Sequence, residues 1–278
     1  RSEDLLVNQI GKPKGFADPD VITLDPAAGT GTYLLGVIEH TLGRVEAEQG
    51  KGAVAGQATA LARNLYAFEL MAGPYAVAEL RVSRALRDHD AQLPADGIHV
   101  YLTDTLESPH AKPPQLPLIL QPIAEQHAKA LEVKSSVPVI VCLGNPPYDR
   151  HEAVLGDTKT GVTNLARTGG WIRWGDDARG KRIVENPGGK PGMAPALFHD
   201  FLAPALAAGL GVHAKNLYNL YVYFWRWALW KVFEHGAARE SGVVSFISAS
   251  SYLDGAAFCG MREHMRRVCD EIWILDLG

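Results

Sequence analysis

One short segment, Asn145-Pro146-Pro147-Tyr148, directly follows an apolar run and combines an amide, two rigid residues and an aromatic ring. The side-chain oxygen of Asn145 and the carbonyl of Pro146 can accept two hydrogen bonds from one amino group. Because proline fixes φ, that carbonyl is oriented in advance. Tyr148 offers a flat face on which a planar group can stack. The segment is suited to hold a weakly nucleophilic amine or amide during group transfer; the alternative is a turn that merely closes a strand.

A glycine turn lies near the start of the chain, in the segment LDPAAGTGTYL over residues 24–34. Gly29 and Gly31 let the backbone approach a ligand closely, and the helix that follows offers unpaired N–H groups. Leu34 stands where a dinucleotide fingerprint needs its third glycine, and the Gly-Lys-Ser/Thr of a P-loop is missing. Asp25 precedes the glycines, where it would repel a diphosphate. It suits a ligand with a positive group, such as the amino group of a methionine moiety.

The elements that carry these segments alternate between apolar, β-branched runs and helical patterns. This alternation predicts an α/β fold with a doubly wound, mostly parallel sheet. The predicted strands cover residues 21–25, 64–70, 98–104, 137–144, 242–250 and 271–278, and the predicted helices cover 32–49, 75–87 and, as a buried aromatic helix, 216–233.

Two segments interrupt this alternation. Residues 105–136 are rich in proline and polar residues, which predicts a long loop or a small excursion. Residues 151–195 contain many glycines, prolines and charges. Loops of that length within a compact domain are usually functional or disordered. Its aromatic and basic residues could stack bases and contact phosphates, or form a solvated loop; they are Trp171, Arg173, Trp174, Arg179, Lys181 and Arg182.

Acidic residues end three of the predicted strands: Asp25, Glu69 and Asp104. Ligands of open α/β sheets bind outside the carboxyl ends of the strands. A carboxylate after the second strand can bind both hydroxyls of a ribose, and one after the third can accept from an adenine amino group. Any one of these acids could instead cap a helix. Together with the glycine turn, the three predict a site for S-adenosylmethionine.

The cofactor segment, the two further acids and the Asn-Pro-Pro-Tyr segment, in this order, resemble the amino-group DNA methyltransferases that form N6-methyladenine, in their gamma arrangement. Residues 215–234 and 242–255 resemble more narrowly the methyltransferase part of large single-chain (type ISP-like) restriction–modification enzymes. The resemblance covers nearly the whole chain. It implies the Rossmann-like fold of methyltransferases that depend on S-adenosyl-L-methionine, with a catalytic domain over residues 1–278 that carries insertions rich in proline and glycine.

The resemblance also implies site residues. Asp25 and the glycine loop would hold the methionine end of the cofactor, Glu69 its ribose and Asp104 its adenine. The implied cofactor-binding residues are Asp25, Pro26, Ala27, Ala28, Gly29, Thr30, Gly31, Glu69, Leu70 and Asp104. The implied catalytic residues, which would hold a flipped-out adenine of DNA, are Asn145, Pro146, Pro147 and Tyr148.

Composition bounds the remaining possibilities. A chain of 278 residues with 47% hydrophobic content can form one large domain. We interpret it as a piece of a longer chain whose target-recognition domain is not included. The longer chain could also carry nuclease and helicase domains. A net charge of −4 disfavours a whole surface for nucleic acid but allows a local basic groove. The three cysteines lack CxxC spacing and the histidines lack HxxxH spacing, which predicts no metal site and a reducing cytoplasm. Apolar stretches are too short for a membrane span.

Other functions fit the same motifs. Segments of the Asn-Pro-Pro-Tyr type also serve methyltransferases that act on a glutamine side chain of release factors, which are proteins, or on RNA guanine. A non-catalytic module that retains a methyltransferase fold is a further alternative. Methylated products would separate these functions, since each acceptor leaves a different modified nucleoside or amino acid.

Overall fold

The computed structural model describes residues 1–113, 117, 121–148, 169–176, 196–236 and 241–277. The predictions for Arg179, Lys181 and Arg182 lie outside these residues. The chain forms two compact units. The first comprises Arg1–Thr105, Ala111–Pro146 and Lys231–Ile247, and the second comprises Leu106–His110, Pro147–Trp230 and Ser248–Gly278. A single methyltransferase domain over residues 1–278 stays a prediction.

The first unit is built around a five-stranded sheet with the order β3-β2-β1-β4-β5. All neighbouring strands are parallel. The strands are β1 (Thr23–Asp25), β2 (Leu65–Glu69), β3 (His99–Leu102), β4 (Val141–Gly144) and β5 (Val243–Phe246). The predicted fold class, a doubly wound parallel sheet of the Rossmann-like methyltransferase type, is therefore confirmed. The strand order reverses direction between β1 and β4, where sheets of this kind bind their ligands.

In the first unit, α1 (Ser2–Asn8) precedes β1. The strands from β1 to β4 are connected by α2 (Thr32–Gln49), α3 (Val54–Asn64), α4 (Ala72–Arg87) and α5 (Gln121–Ser135). The predicted helix over residues 32–49 is confirmed. Its core-facing positions recur at helical spacing, and Leu34, Ile38 and Leu42 are buried against the sheet-side core. The helix therefore begins directly after the glycine turn because its first apolar residues pack into the core.

Of the two alternatives predicted for residues 105–136, a long loop or a small excursion, the long loop is wrong for the second half, which contains α5. Pro122 stands in the first turn of α5, where proline is tolerated because the first N–H groups have no partner within the helix. The side chains of Ala130, Leu131 and Val133 in this helix are buried. The prolines of this segment predicted a loop, but a proline in the first turn, such as Pro122, favours the start of a helix.

The second unit is helical in its described residues, with α6 (Gly170–Trp174), α7 (His199–Ala207), α8 (Leu220–Leu229) and α9 (Cys259–Val268). Every residue of α8 is buried, which confirms the predicted buried helix over its ten residues. The side chain of Asn219 caps α8 by accepting a hydrogen bond from the N–H of Tyr221 at 3.3 Å. Among the described helices, none is long and apolar enough to cross a membrane.

The predicted sixth strand is wrong for residues 271–277, which form no regular element. Trp273 is 62% exposed and Leu275 is 83% exposed. The apolar pattern of this segment is typical of a strand. A strand forms only where another chain segment completes its hydrogen bonds, and the five-stranded sheet does not include this segment.

Candidate functional site

The candidate site of the first unit lies at the carboxyl ends of neighbouring parallel strands. Asp25 is the last residue of β1 and Glu69 the last of β2. Asp104 follows β3 by two residues, and Asn145 follows β4 by one. Because the four strands are neighbours and parallel, their ends share one edge of the sheet. The structure thus brings together the three predicted acids and the predicted catalytic asparagine.

The glycine turn is fastened to the end of β2. The N–H of Gly29 donates to Oε2 of Glu69 at 2.8 Å, and the N–H of Met71 donates to Oε1 at 2.8 Å. Gly29 (φ +55°) and Gly31 (φ +80°) both adopt the left-handed conformation that favours glycine. The turn therefore depends on glycine for its backbone and on Glu69 for its position.

Asp25 is a buried acid with an incomplete set of partners. Its side chain is 0% exposed, and Oδ1 accepts a hydrogen bond from the N–H of Ala27 at 3.0 Å. Oδ2 is buried without a hydrogen-bond partner among the described residues. Burial raises the pKa of Asp25 to about 7; the Ala27 N–H opposes this rise and the charge of Glu69 adds to it. A buried carboxylate of this kind suits a ligand that brings a cation or a hydrogen-bond donor.

Because Gly144 has no side chain, the side chain of Asp25 can lie directly against it. An ideal Cβ at residue 144 would lie 2.6 Å from Oδ1 of Asp25, closer than real Cβ contacts. The sequence-based predictions did not include Gly144. Its position at the end of a strand, directly before Asn145, was the available signal, since glycine in a strand often marks close approach of another group.

Asp104 lies on a segment that is hydrogen-bonded to residues at the ends of β2 and β1. The N–H of Thr103 donates to the carbonyl of Glu69 at 2.8 Å. The hydroxyl of Thr105 donates to the carbonyl of Pro26 at 2.5 Å. Asp104 itself is half-buried. The residues on either side of this acid are thereby held against the ends of β2 and β1.

Other members of the predicted cofactor set belong to the same turn or, in the case of Leu70, follow the end of β2. Pro26 and Ala28 are buried, Ala27 is half-buried and Leu70 is exposed. Arg81, on α4, donates from Nη1 to the carbonyl of Thr30 at 2.9 Å and to its hydroxyl at 3.1 Å. Sequence reasoning missed Arg81, which stabilises the tip of the turn and brings a positive charge to it.

The Asn-Pro-Pro-Tyr segment begins in the first unit and ends in the second. Asn145 is exposed and Pro146 is buried. Pro147 is half-buried, and Tyr148 is 40% exposed. In the second unit the Tyr148 ring packs at a tilt against Tyr221, with centroids 6.4 Å apart and planes at 51°. Tyr148 thus keeps part of its ring open to solvent, and its partial burial raises the pKa of its hydroxyl.

The described aromatic and basic residues of the 151–195 insertion pack within the second unit. The ring of Trp171 meets Trp230 edge to face, with centroids 4.8 Å apart. The guanidinium carbon of Arg173 lies 4.4 Å from the ring centroid of Trp174 and 4.1 Å from that of Tyr218. All three insertion residues are half-buried. These three residues therefore pack on other residues of the second unit, and a role of the insertion in binding bases or phosphates stays a prediction.

Comparison with known proteins gives matches among solved structures alone: no protein-family model and no curated protein matches the sequence. A nuclease-deletion mutant of the Type ISP restriction-modification enzyme LlaGI, in complex with a DNA substrate mimic, has a TM-score of 0.62 at 20% identity and covers 94% of this chain. The ATP-dependent Type ISP enzyme LlaBIII bound to DNA has a TM-score of 0.63 at 21% identity over 94%. The DrdV–DNA complex has a TM-score of 0.62 at 22% identity over 97%.

The chain shares its fold with these proteins. It spans 18% of the LlaGI chain, 15% of the LlaBIII chain and 21% of the DrdV chain. The resemblance to type ISP enzymes inferred from the sequence is confirmed at the level of the fold. The gamma N6-adenine type and the roles of individual residues stay predictions.

Proposed function

We propose that this chain is the methyltransferase module of a restriction–modification enzyme and transfers a methyl group from S-adenosylmethionine to N6 of an adenine in DNA. The observation that carries the proposal is the grouping of Asp25, the glycine turn, Glu69, Asp104 and Asn145 at one edge of the sheet. The fold shared with restriction–modification enzymes solved in complex with DNA supports this choice of substrate.

The residues of this edge fit the proposed cofactor. S-adenosylmethionine would supply a methyl group activated by a sulfonium centre. Asp25 has a buried oxygen without a partner, which can accept from the amino group of the methionine end. Both oxygens of Glu69 already accept one N–H, and each retains a lone pair for a ribose hydroxyl. Asp104 is assigned to the adenine amino group.

The acceptor is held by the Asn-Pro-Pro-Tyr segment. The lone pair of an adenine amino nitrogen is conjugated with the ring and is a poor nucleophile. The oxygen of Asn145 and the carbonyl of Pro146 would accept hydrogen bonds from its two hydrogens. They would stabilise the positive charge that develops as the nitrogen bonds to the methyl carbon and the bond from that carbon to sulfur breaks, which leaves S-adenosylhomocysteine. Tyr148 would stack on the flipped base, and the surplus proton would leave to water. The role of the segment is orientation and charge stabilisation, without a covalent enzyme intermediate.

The test is product analysis with isotope-labelled S-adenosylmethionine. The protein is incubated separately with single-stranded DNA, duplex DNA, RNA and a release-factor protein, and the digests are analysed by mass spectrometry. We expect N6-methyldeoxyadenosine from DNA, preferentially from single strands, because flipping a paired base costs about a few kcal/mol. Label found in RNA or in glutamine alone would contradict the DNA assignment.

A matched variant separates catalysis from binding. Asn145→Ala should abolish methyl transfer and leave the affinity for S-adenosylhomocysteine unchanged, because Asn145 is assigned to the acceptor. If the native protein does not bind S-adenosylhomocysteine in calorimetry, the proposed cofactor is wrong.

A further inference from the structure

A fully buried lysine lies beneath the segment that carries Asp104. Lys134 stands in the last turn of α5 and is 0% exposed. Its Nζ donates to the carbonyl of Asp104 at 2.5 Å and to the hydroxyl of Thr103 at 3.2 Å. The same Nζ lies 5.6 Å from the ring centroid of Phe68. The ammonium group therefore contacts Asp104 through its main chain.

A buried ammonium group is a costly way to fill space. Moving such a charge out of water is strongly unfavourable unless hydrogen bonds replace its hydration. A methionine or leucine would fill the same volume without this cost. Lys134 is itself held in place, because Nζ of Lys231, also buried, donates to the carbonyl of Lys134 at 2.9 Å. These hydrogen bonds hold the ammonium group of Lys134, a hydrogen-bond donor, in one position. Packing alone would not require a donor there.

The carbonyl that Lys134 holds belongs to the residue assigned to the cofactor adenine. The carbonyl and the carboxylate of Asp104 extend from the same Cα, so fixing the carbonyl limits where the carboxylate can lie. The flanking residues Thr103 and Thr105 are tied to Glu69 and Pro26, and Lys134 adds the bond at Asp104 itself. A carboxylate discriminates between an amino group and an oxygen only if it is held in one place.

We infer that Lys134 is a positioning residue that sets the preference of the site for an aminopurine, acting through the backbone of Asp104. This inference rests on the proposed function, which assigns Asp104 to the adenine end of S-adenosylmethionine. Lys134 touches neither the cofactor nor the acceptor in this assignment. Its effect is on selectivity between purines.

The experiment compares two probes, S-adenosylhomocysteine and S-inosylhomocysteine, in which an oxygen replaces the purine amino group. Calorimetry gives the ratio of their affinities. The native protein should prefer the adenosine compound by roughly 10- to 100-fold, the range for one hydrogen bond to a charged group. Asp104→Ala should bring the ratio close to one. Lys134→Met should lower it at least about fivefold, and Lys134→Gln, which keeps an N–H donor without the charge, should give an intermediate ratio.

A merely structural role of Lys134 gives a different result, because general destabilisation weakens both probes equally and leaves the ratio unchanged. Leu61→Ala on α3 is the matched control. It removes a buried side chain of the hydrophobic core of the first unit and should lower the melting temperature without changing the ratio. Circular dichroism establishes that each variant is folded.

The outcomes separate the inference from the proposed function. If Lys134→Met keeps the native ratio of affinities while Asp104→Ala has a ratio close to one, the inference is overturned and the proposed function is unaffected. If the native protein binds neither probe, or Asp104→Ala keeps the native ratio, the proposed site fails and the inference with it. If Lys134→Met does not fold, Lys134→Gln decides, and a ratio equal to the native one overturns the inference.

Discussion

The carboxylate of Asp25 lies directly against Gly144, at a distance that leaves no room for a side chain at residue 144. Asp25 ends β1 and Gly144 ends β4, the two strands between which the order of the sheet reverses. Gly144 also directly precedes Asn145. The acid assigned to the cofactor and the amide assigned to the acceptor are therefore separated by one close backbone contact.

A methyl group at this contact should displace the carboxylate of Asp25 or the end of β4, which precedes Asn145. In Gly144→Ala the new Cβ would lie 2.6 Å from Oδ1 of Asp25, so either the carboxylate or the end of β4 must move. Overpacking of this kind costs about 1–3 kcal/mol of stability. Because a displaced carboxylate would lose its hydrogen bond to the ligand, we expect the affinity for S-adenosylhomocysteine to fall roughly 5- to 100-fold in calorimetry. Gly36→Ala is the control, because an added Cβ there meets no atom within 4 Å. It should leave the affinity unchanged and slightly stabilise α2. Equal affinities for both variants would contradict the prediction.

The stability of the protein should depend on pH through Asp25. Its pKa is raised from 3.8 to about 7 in the folded protein, mainly by burial. Between these two values the folded state holds the proton that the unfolded state has released. The free energy of unfolding should therefore fall as the pH rises through this window, by an amount on the order of 4 kcal/mol. Urea denaturation at several pH values measures it.

Two variants test the origin of this dependence. Asp25→Asn removes the titrating group and should make the stability less dependent on pH between about 4 and 7, with a gain over the native protein at about pH 8. Asp88→Asn, at an exposed residue just after α4, should keep the native dependence. An unchanged slope in Asp25→Asn would assign the effect to another group.

Binding of the cofactor should release a proton. With the site empty, Asp25 is mostly protonated at about pH 6, because its pKa is about 7. A positively charged amino group close to Oδ2 favours the ionised carboxylate and lowers that pKa. Titration calorimetry with S-adenosylmethionine, in phosphate and in imidazole buffers of different ionisation enthalpy, should show release of nearly one proton at about pH 6 and less as the pH rises. Asp25→Asn should bind without this release; the same release in the variant would exclude Asp25 as its source.

The sequence predicted the sheet, its helix α2 and the location of the acids, because each depends on a local pattern. Strand periodicity, the glycine turn and an acid at a strand end are all visible within about ten residues. The sequence did not predict Lys134, since nothing local distinguishes a buried lysine from an exposed one such as Lys112. Gly144 was missed for a similar reason: the atom that excludes a side chain there belongs to Asp25, far away in the chain. For residues 271–277 the sequence predicted a strand that the structure does not contain, because an apolar pattern does not identify the segment with which a strand would pair.

The ring of Tyr148, and not its hydroxyl, should matter for methyl transfer. Burial raises the pKa of this tyrosine, so the hydroxyl is neutral at physiological pH and contributes no charge. The exposed part of the ring is available to a flipped base, and stacking is worth about 1–3 kcal/mol per base. Tyr148→Phe should keep most of the methylation rate, and Tyr148→Ala should reduce it roughly 5- to 100-fold. The rate of N6-methyldeoxyadenosine formation on single-stranded DNA is the measurement.

The residue packed against Tyr148 provides the control for this comparison. Tyr221→Phe keeps the ring against Tyr148 and removes the hydroxyl, which is hydrogen-bonded to the hydroxyl of Ser251 at 3.0 Å. That change should cost about 1 kcal/mol of stability and leave the methylation rate near the native value. Equal loss of activity in Tyr148→Phe and Tyr148→Ala would assign the role to the hydroxyl. Equal loss in Tyr221→Phe and Tyr148→Ala would mean that the helical unit as a whole, and not stacking on Tyr148, controls the rate.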